Sequence, residues 1–91
     1  MNQSIIDLAK FGVLLRSARL VAGYDRASDF SRALSELGVK MSDDVIYNIE
    51  RGEQAMRVDQ YFAALMLLKP KGGHDWFSAA FRDDLRSWAD S

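Results

Sequence analysis

Apolar residues in this chain recur at spacings of three and four and almost never in strict alternation, and glycine stands where several of the runs end. Such spacing turns one stripe of a helix inward and cannot keep one face of a strand apolar. The clearest instance is Ile46-Tyr47-Asn48-Ile49-Glu50-Arg51-Gly52, a short run with apolar residues three apart that closes on glycine. Upstream, Leu37-Gly38-Val39 closes another. Glycine stops a helix at such places because it takes the left-handed conformation without a Cβ penalty. An all-α chain is expected.

Five helical segments follow. Ser4 with Asp7 reads as an N-cap and an acidic first turn, opening helix 1 to about Val21. Its inward residues are Leu8, Phe11, Gly12, Leu15 and Ala18, with Ala22 at the end. Gly23-Tyr24 ends it and Asp25 can cap helix 2, from about Arg26 to Leu37, with Phe30, Ala33, Leu34 and Leu37 inward. Ser42, followed by Asp43 and Asp44, is the best N-cap in the sequence. Helix 3 then runs from Asp43 to about Arg51 and buries Val45 or Ile46 together with Ile49. Helix 4 covers about Val58 to Leu68, with Tyr61, Phe62, Leu65 and Leu68 as its stripe. Pro70 and Gly72-Gly73 break the chain. Helix 5, from about Asp75 to Ala89, sets Trp76 or Phe77, Ala80, Phe81, Leu85 and Trp88 at helical spacing. With 91 residues this is one domain, 1–91, made of a core unit over 1–70 and a C-terminal helix within 74–90.

Composition excludes several function classes. There is no cysteine and His74 is the only histidine, so neither a disulfide framework nor a zinc site is expected. No cofactor is implied. The apolar runs fall far short of the ~20 residues that a membrane-spanning helix needs. Met1 to Ser4 lack the features of a secretory signal and read as a genuine start, so a cytoplasmic protein is expected. No nucleophile is paired with a base. Asp83 and Asp84 are adjacent on a helix, where neighbouring side chains diverge by about 100°, and Ser17, Ser31 and Ser35 have no partners. An enzyme is not expected.

Two short helices around a glycine-containing turn spell a helix-turn-helix, which presents its second helix to the major groove of DNA. The order of residues resembles the Cro/C1-type (XRE-like) family of phage and bacterial transcriptional regulators. Phe11-Gly12, Leu15-Arg16, Arg19 and Gly23 look like that family's first helix. Ala33-Leu34-Ser35-Glu36-Leu37-Gly38-Val39 looks like the end of its second helix and the start of its turn. Ser42 through Gly52 looks like its recognition helix, and Asp75-Trp76-Phe77 is similar to its short fifth helix. The resemblance implies a lambda-repressor-like bundle of about five helices that reads a duplex operator as a homodimer. It also implies an ion pair between Arg19 and Glu50, for which arginine's planar fork of donors suits a carboxylate.

Three departures qualify it. Helix 2 lacks the glutamine common near its start in the family. The turn is longer by Lys40-Met41, and helix 3 opens on Asp43 and Asp44. Aspartate either accepts from cytosine N4 or simply stabilises the helix start, and in both cases it repels phosphate. Facing away from Ile46 and Ile49 are Asp43, Asp44, Tyr47, Asn48 and Arg51. Asn48 can pair with adenine, and Tyr47 can stack or bond a phosphate. Arg51 and Arg57 flank the Gly52 loop, while Ser42, Lys40 and Arg32 are further candidates for the contact surface. Net charge is −1, with an acidic excess at the end of the chain, where Asp75, Asp83, Asp84 and Asp90 outweigh Arg82 and Arg86. Phosphate neutralisation should therefore be modest.

Trp76, Phe77, Phe81, Leu85 and Trp88 are the expected dimer interface if they are not spent on the core. The leading reading is a sequence-specific regulator of repressor, Cro-like or antitoxin type. Its rival is a protein-interaction module that keeps the scaffold without binding DNA. A third is a DNA-binding fragment separated from an effector domain.

Overall fold

A computed structural model describes residues 5–72, 76 and 79–81. Four α-helices stand among them: α1 (Leu8–Val21), α2 (Ala27–Glu36), α3 (Asp43–Glu50) and α4 (Val58–Leu68). The all-helical expectation holds for these residues, and no helix among them is long and apolar enough to cross a membrane.

Helix α1 begins later than its sequence suggested. Asp7 is the N-cap rather than a first-turn residue, and its carboxylate accepts from the backbone amides of Ala9 (3.0 Å) and Lys10 (3.2 Å). Ser4 lies outside the described residues. At the start of α2, Arg26 occupies the cap position and offers no side-chain bond, so Asp25 is not the cap. Ser42 does cap α3, its hydroxyl oxygen accepting from the Val45 amide at 3.2 Å. Helices α1, α2 and α3 close alike. In α3 the Gly52 amide donates to the Ile49 carbonyl and the Glu53 amide to Asn48, satisfying carbonyls that the helix leaves open. Gly52 has φ +77°, and a Cβ there would lie 2.9 Å from the Ala9 Cα.

The core gathers Phe11 and Leu15 of α1, Ala27, Phe30 and Leu34 of α2, Ile46 and Ile49 of α3, and Ala63, Ala64 and Leu68 of α4. Gly12 lets α1 and α3 touch through backbone, since a Cβ on it would run into the carbonyl oxygens of Glu50 and Ile49. Three expected core residues are exposed: Ala22, which is the C-cap of α1, Leu37 and Phe62. Leu37 is exposed because it lies past the last turn of α2. Phe62 is exposed because α4 packs through its small residues Ala63 and Ala64. Gln60 is buried beside them, its Oε1 accepting from the Arg57 amide at 2.9 Å.

The expected fifth helix does not run unbroken. Phe81 forms an isolated antiparallel bridge with Ile6, and the Asp7 amide donates to the Ala80 carbonyl at 2.7 Å. Ala80 and Phe81 are buried there, sealing the start of α1. The rest of that segment lies outside the described residues.

Candidate nucleic-acid interface

Helix α3 is short, about 12 Å at 1.5 Å per residue, and depends on what it is fastened to. Ile46 and Ile49 are fully buried on one side. Arg19 of α1 clamps the far end. Its Nε donates to Glu50 Oε2 at 2.7 Å and its Nη2 to Oε1 at 3.1 Å, with side chains only 3% and 4% exposed. Nη1 of the same guanidinium donates to the carbonyls of Tyr24 (2.7 Å) and Asp25 (3.1 Å), fixing the turn between α1 and α2. The Glu50 hydrogen bond holds the Arg19 guanidinium above its ordinary pKa, against the opposing pull of burial.

The connection between α2 and α3 is fastened from within. Ser31 donates its hydroxyl to the Met41 carbonyl at 2.7 Å, and the Met41 side chain is buried. The two additional residues of the turn therefore supply a core side chain, a role that sequence spacing did not reveal. Lys40 beside it is exposed.

With Ile46 and Ile49 inward, the opposite side of α3 carries the expected set. Asp43, Asp44, Tyr47 and Arg51 are exposed and Asn48 is half-buried. These side chains are not independent. Arg51 donates from Nη2 to Asn48 Oδ1 at 2.5 Å and from Nε to Glu53 Oε2 at 2.7 Å. Arg57 is likewise paired with Asp59, at 3.2 Å. Adenine recognition uses both the acceptor and the donor of the asparagine amide, so Asn48 must exchange its Arg51 bond to make it. The Ser42 hydroxyl oxygen is engaged by the cap. Arg32 is exposed on α2, and no hydrogen bond or ion pair described for α3 reaches it.

The expected dimer residues divide. Trp76 is half-buried, with its ring centroid 5.7 Å from that of Phe11 and 6.0 Å from that of Tyr61. Phe81 is buried at the bridge. Phe77, Leu85 and Trp88 lie outside the described residues. No group of three or more His, Cys, Asp or Glu suited to a metal occurs among the described residues. No family model, curated protein or solved structure matches the chain.

Proposed function

We propose that the chain is a sequence-specific DNA-binding regulator that reads a short operator with α3 and acts as a homodimer. The observation that carries this reading is the clamping of α3. A buried bidentate ion pair to α1 and a backbone-to-backbone seat at Gly12 hold a helix of eight residues by its end and one side. Its other side, from Asp43 to Arg51, stays outward and polar. A helix fixed in this way loses little further entropy when it enters a groove, and its position sets which bases it meets. Tyr47, Asn48 and Arg51 supply the base and phosphate contacts; Lys40, Arg57 and Arg32 add backbone charge.

A second reading, a protein-interaction module on the same scaffold, is favoured by one observation. Arg51 and Arg57 each have an acidic neighbour already in place, and Asp43 and Asp44 add negative charge at the tip of α3. Selection from a random-sequence duplex library at low salt separates the two. A DNA reader enriches one short sequence and releases it as salt rises. Recovery of no shared sequence at low salt would overturn the DNA reading.

A further inference from the structure

Asn48, Arg51 and Glu53 form a closed circuit at the end of α3. The Glu53 amide donates to the Asn48 carbonyl at 2.9 Å, which brings the chain past Gly52 back beside the helix. Glu53 Oε2 accepts from Arg51 Nε at 2.7 Å, and Arg51 Nη2 donates to Asn48 Oδ1. This circuit settles which way the Asn48 amide turns. A guanidinium has donors only, so the amide atom that faces it is the oxygen, and the two N–H groups on Nδ2 are left for another partner. Arg51 adds the N–H groups on Nη1, which the bonds to Asn48 and Glu53 do not engage. The two side chains together thus offer donors side by side, and no acceptor apart from an oxygen already bonded.

We propose, on the reading that α3 enters the major groove, that Asn48 and Arg51 jointly read guanine rather than adenine, with Glu53 as the positioning residue that holds Arg51. Guanine alone among the bases sets two acceptors, N7 and O6, next to each other in that groove. Adenine follows its N7 with the N6 amino donor, which would meet a donor and leave both groups unpaired. Thymine offers the single acceptor O4 beside its methyl group, and cytosine offers a donor. To take adenine in the usual bidentate way, Asn48 must turn its amide over and release Arg51, which opens the circuit. Guanine leaves every bond of the circuit in place, so the donors are already arranged before the base arrives. Phosphate oxygens are acceptors too, but they carry no sequence information. The Glu53 carboxylate beside Arg51 also repels a phosphate, whereas a neutral base edge meets no such opposition.

Selection from a random-sequence duplex library, run with the parent and with Asn48→Ala, locates the base pair being read as the one whose preference relaxes in the variant. The parent should hold guanine there. Changing that guanine to adenine, and its paired cytosine to thymine, should weaken the parent roughly 5- to 150-fold in fluorescence anisotropy. Replacing it by 7-deazaguanine, which keeps Watson–Crick pairing and lacks the N7 acceptor, should weaken the parent as well. Glu53→Ala should bind no less tightly overall yet separate guanine from adenine less well, a split that loss of folding alone does not produce. If circular dichroism shows that Asn48→Ala unfolds, a 7-deazaguanine scan of the parent's selected duplex carries the test, and at least one guanine must prove necessary. Adenine or thymine at the located position, or no position that relaxes, would overturn the proposal and leave DNA binding standing. So would indifference to 7-deazaguanine, or undiminished discrimination by Glu53→Ala. Recovery of no shared sequence by the parent would overturn the DNA reading and this proposal with it.

Discussion

Arg19 does several things with one guanidinium: it closes the end of α3 and holds the carbonyls of Tyr24 and Asp25. Removing it strands a buried carboxylate, so Arg19→Met should cost about 3–5 kcal/mol in urea denaturation. Arg19→Met with Glu50→Leu should recover part of that loss but not all, because the two carbonyls still lack their donor. A double variant no more stable than the single one would mean that the ion pair itself matters little. The raised pKa of Arg19 adds stability that is complete below the ordinary arginine value and lost only above it. Arg19 therefore adds no pH dependence over the roughly pH 5–8 range where proteins are usually handled. On α3, Asn48→Ala should lower affinity for a selected duplex by about 1–3 kcal/mol and relax preference at a single base position. Arg51 complicates the outcome, since it loses its Asn48 partner and becomes freer to meet phosphate. A uniform change across all sequences, measured by competition binding, would move Asn48 from base reading to backbone positioning.

The start of α3 poses a choice between stability and binding. Asp43 and Asp44 sit beside the partial positive charge of the helix N-terminus, while Ser42 already satisfies one of its amides. Converting both to asparagine should lower stability by about 0.3–1 kcal/mol per charge and tighten duplex binding by removing repulsion. Weaker binding would instead mark them as acceptors of base donors. Some helix ends, such as this one, were legible in the sequence because caps are local chemistry, although Asp7 rather than a residue before it caps α1 and Asp25 does not cap α2. Ser42, Gly52 and the limits of α4 are found where their residue types point. Faces were legible only where apolar spacing was selective. Ile46 and Ile49 have polar neighbours, whereas α4 is apolar on nearly every side and its spacing does not choose between Phe62 and Ala63. Signals that depend on distant chain segments were harder to see. Nothing local marks Met41 as a core residue, or Phe81 as the bridge partner of Ile6 instead of a helix interior. Arg19 and Glu50 are 31 residues apart, and the family resemblance, not spacing, paired them. The Asn48–Arg51 link had a local signal, the three-residue step along a helix, but reading both side chains as turned to DNA left no reason to join them.

The chain's net charge of −1 sets how the whole molecule should respond to salt. Four exposed cations, Arg32, Lys40, Arg51 and Arg57, are the phosphate candidates. If each neutralised one phosphate, log K would fall against log salt with a slope of about −3.6 per protomer. Two of them are already paired, Arg51 with Glu53 and Arg57 with Asp59. Exposed pairs of this kind are weak, of order 0.2–1 kcal/mol, so a duplex bound as proposed would compete for the arginines while the carboxylates stay nearby and oppose it. The parent slope should therefore lie nearer about −2 per protomer than the full value. Glu53→Gln with Asp59→Asn should raise affinity and steepen the slope toward that value, because the cations then act on phosphate without a local counter-charge. Fluorescence anisotropy on the selected duplex over a salt series measures both quantities at once. A parent slope near zero, unchanged in the double variant, would mean that these arginines serve only their own surface, and that the outward side of α3 meets a partner other than DNA.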